Sequence, residues 1–99
     1  MNWDWLLSNA KQYDVQNRLG FAVTLAREVA EKTNAAGQAF QLKQNETRLE
    51  RSRLAREDTF CRDSLTEAEK AWLRQTRSPE AQHWNLLTDL RAESLIYAA

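Results

Sequence analysis

The chain is poor in the residues that make turns and cross-links. Its 99 residues include two glycines, Gly20 and Gly37, one proline, Pro79, and one cysteine, Cys61. So few turn formers disfavour a β-rich fold, whose many tight turns draw on them. A lone cysteine can form no internal disulfide and cannot be half of a thiol metal motif. It suits a reducing compartment. No apolar run approaches the roughly 20 residues that span a bilayer. The start, Met1-Asn2-Trp3-Asp4-Trp5, has neither the basic region nor the apolar stretch of a signal peptide. A cytoplasmic location with no membrane partner is expected. A surplus of charge is missing as well: fourteen basic residues balance fourteen acidic ones. A neutral chain has no long-range field to draw in nucleic acid, so such binding would need a local patch.

What is present favours helices. The composition is 42% hydrophobic and 28% charged, enough for one core, and the length suits one domain spanning residues 1–99. Trp3, Leu6, Leu7 and Ala10 share one helical face, with Trp5 nearly opposite. Val15, Leu19, Ala22, Val23, Ala26, Val29 and Ala30 form a stripe on a second helix, and Phe21 and Leu25 add a second row. Asp14 stands where an N-cap would. Gly20, costly in a helix interior, points to close approach of a neighbour. Asn34 or Gly37 is expected to end this helix in the left-handed conformation.

A long third helix is expected over residues 38–62, with Leu42, Leu49 and Phe60 as a thin apolar stripe. Ten of the eighteen residues in 46–63 are charged, with alternating sign. Two more helices follow. Thr66 with Glu69, or Ser64 with Glu67, fits a capping box. Leu65, Ala68 and Trp72 then supply an inner face. Ser78-Pro79-Glu80 reads as cap, first helical position and acid near the positive helix end. A helix over 79–90 would carry Ala81, Trp84, Leu87 and Leu90. Leu95, Ile96 and Tyr97 close the chain as a short helix. The expected architecture is therefore all-α: a small bundle of about four to five helices, with a helical hairpin whose third helix is long and highly charged.

The chemistry-bearing residues are few. His83 is the only histidine, and Glu80, one turn earlier, could pair with it on the surface. Cys61 beside Phe60 reads as a small core residue. No phosphate loop, dinucleotide fingerprint or metal spacing occurs, so no catalytic, cofactor or metal residues are assigned. Arg48, Arg51, Arg53, Arg56 and Arg62 cluster, but Glu50, Glu57, Asp58 and Asp63 interleave with them. Phosphate binding needs several uncompensated cations. Trp72 and Trp84 read as core anchors, whereas Trp5 lies off its stripe and is free to cover a partner. Arg53 and Arg56 interrupt the apolar stripe. They would either pack their stems at the core edge or meet acids of another chain.

In size and helical make-up the chain resembles small regulators, antitoxins and adaptors that act by binding. Two functions follow as expectations. The first is a non-enzymatic interaction module, homodimeric or heteromeric, using Trp5, Leu42, Leu49, Arg53 and Arg56, without cofactor or small-molecule substrate. The second is a DNA-binding regulator using the arginine-rich helix over 48–62, with Arg48, Arg51 and Arg62 on one side.

Overall fold

The computed structural model describes residues 2–60 and 64–98, with side chains described as far as residue 95. The chain is mostly helical. Six helices appear among these residues: α1 (Trp3–Gln12), α2 (Gln16–Lys32), α3 (Ala36–Glu50), α4 (Glu67–Thr76), α5 (Pro79–His83) and α6 (Ala92–Ala98). Two short strands, β1 (Asp58–Thr59) and β2 (Leu86–Leu87), pair in parallel, Asp58 opposite Leu86 and Thr59 opposite Leu87. No described helix is long and apolar enough to cross a membrane.

Helix ends show how the chain manages with two glycines. Asp14, Asn34 and Asn85 adopt positive φ of 56°, 61° and 56°. Asparagine and aspartate tolerate this region better than other residues with a Cβ. Behind α1, the Val15 N–H donates to Ala10 O (2.9 Å) and the Asp14 N–H to Lys11 O (3.3 Å). Behind α2, the Ala35 N–H donates to Ala30 O (2.8 Å) and the Asn34 N–H to Glu31 O (3.4 Å). Both are Schellman closures. Asp14 thus terminates α1 rather than capping α2, and Gly37 lies inside α3 without positive φ. The expected caps of α4 and α5 form. Thr66 accepts from the Glu69 N–H in a full capping box, and Ser78 accepts from the Ala81 N–H with Pro79 behind it.

Helices α2 and α3 make the most extensive contact between elements. Their short connection makes them an antiparallel hairpin. The buried face of α2 differs from the expected stripe. Ala22 and Ala26 are exposed, while Phe21 and Leu25 are the deepest residues and Gln16, Asn17, Gly20 and Thr24 are buried beside them. The reason lies in what meets that face. Trp84, 1% exposed, lies over Gly20. Its Nε1–H donates to Thr24 Oγ1 (3.0 Å), which in turn donates to Gly20 O (2.8 Å). The close approach that Gly20 signals is therefore by an indole ring.

The long third helix does not form. It stops at Glu50, because the backbone beyond is held by α2. Gln16 Nε2–H donates to Ser52 O (3.1 Å), and the buried Asn17 amide makes two bonds to Leu54. Leu49, 1% exposed, and the half-buried Leu42 pack into the same core, and Phe60 meets Phe21 edge-on at 5.1 Å. The apolar stripe is satisfied inside the chain, with Phe60 reaching it from a loop rather than from the helix. The helix expected over 79–90 is likewise cut short, ending at His83, with Asn85 left-handed and Leu86 and Leu87 in β2.

Candidate functional site: a groove beside the third helix

Helix α3 turns its other face outward. Phe40 lies opposite Leu42 and Leu49 on the helical wheel and is 65% exposed. With Lys43, Gln44, Thr47, Arg48 and Arg51 it forms one wall of an open groove of about 990 Å³. The other wall is the start of α1: Asn2, Trp3 and Asp4. Asn2 fixes that start by accepting from the Trp5 N–H (3.0 Å). An ion pair between Arg48 and Asp4 (2.6 Å) ties the two helices together.

That ion pair also borders a second, smaller recess of about 290 Å³, lined by Asp4, Leu7, Ser8, Lys11, Arg48 and Ser52. Groove and recess thus share the Asp4–Arg48 wall. Four cations, Lys11, Lys43, Arg48 and Arg51, border the two, against one lining acid, Asp4. Lys43 lies 3.7 Å from Glu46, whose carboxylate is mainly engaged by Arg27 across the hairpin. Lys11 and Arg51 form no ion pair among the described residues.

The residues singled out from sequence are scattered. Trp5 is 62% exposed, next to Asp4, but does not line the groove. Leu49 belongs to the core, and Leu42 packs partly buried against it. Arg53 meets Glu50 (3.2 Å) and donates to His83 O (2.8 Å), while Arg56 approaches Asp14 at 3.8 Å. Both arginines therefore meet acids of their own chain. Arg48 and Arg51 share the groove, but Arg62 and Cys61 lie outside the described residues, and the helix meant to carry Arg48, Arg51 and Arg62 together ends at Glu50. Trp72, expected as a core anchor, is 57% exposed; α4 packs by the adjacent Leu73 instead. Phe40, Lys11 and Lys43 were not anticipated. Phe40 carries the same signal as Trp5, an aromatic off its helix's apolar stripe.

His83 is exposed, as a surface histidine would be, but its partner is Glu50 rather than Glu80: Nε2 lies 2.5 Å from Glu50 Oε2. Glu80 faces Glu28 instead, where α5 and α6 pack on α2. Burial, a hydrogen bond shared with Glu80 and repulsion from Glu80 and, more weakly, from Glu93 push Glu28 up to about 7, against an opposing pull from Arg27. Burial would raise Glu80 too. Hydrogen bonds from its own N–H, from Glu28 and from Ser78, with attraction to Arg91, hold it below the usual range. The pair shares one proton. Between the ordinary carboxylate range and about pH 7 the folded chain holds a proton that the unfolded chain releases. Stability from Glu28 is thus full below that window and is lost as pH rises through it. Glu28→Gln keeps a donor for Glu80 and removes the titration. Its unfolding free energy should match wild type at pH 5 and exceed it at pH 8, by on the order of 1 kcal/mol after allowance for solvent screening. A difference independent of pH would contradict the shared proton.

Neither the groove nor the recess is lined by His83, Glu28 or Glu80. No group of three or more metal-ligating side chains gathers among the described residues. No family model matches this chain, nor does any curated protein or solved structure.

Proposed function

We propose that this chain is a non-enzymatic helical interaction module that folds as a monomer and docks a different protein on the outer face of α3. The observation that carries this reading is Phe40, a large aromatic held 65% exposed on a helix whose opposite face is fully used. Aromatic and arginine side chains are the usual anchors of protein interfaces, and here Phe40, Trp3, Arg48 and Arg51 border one groove. A homodimeric seam through Leu42 and Leu49 is not part of the proposal, since Leu49 is buried and Leu42 packs against the same core.

Three measurements test it. Light scattering on a sizing column should give the mass of a single 11.5 kDa chain. A photoreactive benzoylphenylalanine in place of Phe40 should give a discrete cross-linked adduct with another protein in the native cell. The same probe in place of the exposed Gln82 should not. Phe40→Ser should leave stability within about 0.5 kcal/mol of wild type, as for surface substitutions generally. A dimer dispersed by Phe40→Ser, or irradiation that yields no adduct at position 40, would overturn the reading.

A further inference from the structure

We infer that the groove and its recess recognise an acidic peptide segment, with a carboxylate of the partner entering the recess and an apolar side chain of the partner covering Phe40. The inference rests on the docking reading and adds the chemistry of the partner. Its first ground is charge. Lys11, Lys43, Arg48 and Arg51 border the combined surface, and Asp4 is the one lining acid. Elsewhere several arginines are occupied by acids of their own chain, while Arg91 donates to Thr76 O. Arg18 holds Asp58 at 2.9 Å, Arg27 holds Glu46 and Glu31, and Arg74 grips Glu57 with two nitrogens. In a chain of zero net charge, a surface that keeps Lys11 and Arg51 unpaired among the described residues concentrates positive potential there.

Its second ground is shape. The recess, about 290 Å³, takes a side chain rather than a helix. Ser8 and Lys11 stand one turn apart on α1, so both can face one guest. Arg48 is already oriented by Asp4 (2.6 Å) and Asn45 (3.2 Å) and keeps further N–H donors for a second carboxylate. The ordered guanidinium reduces the entropy lost on binding. The groove alongside offers the apolar faces of Trp3 and Phe40 among amides (Asn2, Gln41 and Gln44) that can bond to a peptide backbone. A polyphosphate chain fits less well. Asp4 sits in the shared wall and opposes any anion, and a chain charged at every unit cannot keep clear of it as a peptide with spaced carboxylates can. Counterion release from so few free cations would be small.

The test begins with a displayed library of random 12-residue peptides selected on the immobilised full chain. Synthetic copies of enriched sequences and a dT12 oligonucleotide are then titrated by fluorescence polarisation. The expected pool is acidic, with an aromatic or aliphatic residue near the acids. Binding of these peptides should weaken about tenfold in Arg51→Glu and in Lys11→Glu, the order of effect of reversing one interface charge, and should fall as salt rises. Both side chains are exposed and form no ion pair among the described residues, so circular dichroism should show both variants folded. Enrichment of neutral or basic sequences, no enrichment, or acidic binders indifferent to both reversals would overturn the inference. So would dT12 binding more tightly than the peptides and being lost in the same variants, which would make the groove a nucleic-acid site. A discrete cross-link at position 40 alongside any of these failures would leave the docking reading standing and remove only the acidic partner.

Discussion

Replacing Gly20 with alanine should destabilise this protein by about 2–3 kcal/mol, the upper part of the range for overpacking a core. The sign is informative, because helix propensity alone predicts the reverse: alanine in a helix interior is favoured over glycine by about 1 kcal/mol. Packing decides the outcome. A Cβ at position 20 would lie within 2.6 Å of three carbons of the Trp84 six-membered ring. That ring is 1% exposed and anchored through Nε1 to Thr24, itself bonded back to Gly20 O. It cannot retreat without breaking a buried hydrogen bond. Urea unfolding of four chains checks the assignment: wild type, Gly20→Ala, Trp84→Phe and the double variant. The smaller ring frees space over position 20, so the alanine should cost much less in the Trp84→Phe background. A coupling of 1 kcal/mol or more is expected for side chains in direct contact. Gly20→Ala that is neutral or stabilising in wild type would show that the indole does not lie there.

The sequence pattern revealed some of this arrangement and hid the rest, for physical reasons that differ by element. Caps were legible because each is a local rule. Thr66 with Glu69, and Ser78 with Pro79, satisfy helix N-termini through bonds no more than three residues long. Gly20 was legible as a close approach, though not the identity of the visitor, which comes from 64 positions later. The buried face of α2 was misread because Asn17, Thr24 and Gly20 lie on it. A hydrophobic stripe cannot register polar side chains buried for long-range hydrogen bonds. Trp72 was misread by about one residue on the wheel. The α4 stripe of Leu65, Ala68 and Trp72 is apolar, yet the core receives Leu73. At the groove, Arg48 and Arg51 were visible as cations but were grouped with a helix that stops short. Phe40 was visible only by its phase against Leu42 and Leu49. Lys11 could not be found from the sequence, since its recess is bordered by residues from two helices and the loop after the second of them.

The break after α3 gives the second large expected effect. Residues 51–57, Arg-Ser-Arg-Leu-Ala-Arg-Glu, have good helix-forming composition, yet they turn away. Asn17, 3% exposed, is the clasp. Its Nδ2–H donates to Leu54 O (2.8 Å) and its Oδ1 accepts from the Leu54 N–H (2.8 Å), while Asn85 donates to the same carbonyl (2.8 Å). One amide thus replaces two hydrogen bonds that a continuing helix would have made. Asn17→Leu keeps a γ-branched side chain, somewhat bulkier, but leaves the Leu54 N–H with no acceptor, at about 1–3 kcal/mol for an orphaned buried group, besides the carbonyl bond that is lost. The expected loss of stability is about 3 kcal/mol, on the scale of breaking a buried hydrogen-bond network. Amide hydrogen exchange separates this mechanism from a general weakening of the core. In wild type the Leu54 amide should exchange through global unfolding. In Asn17→Leu it should exchange far faster than core amides such as Leu25, because a loop freed of its clasp opens locally at little cost. The Asp58 N–H, which donates to Asn85 O at 2.9 Å, should lose protection with it, since Asn85 holds both strand and loop. If Leu54 stays as protected as Leu25 in the variant, some other contact stops α3 at Glu50, and the clasp is not the reason for the break.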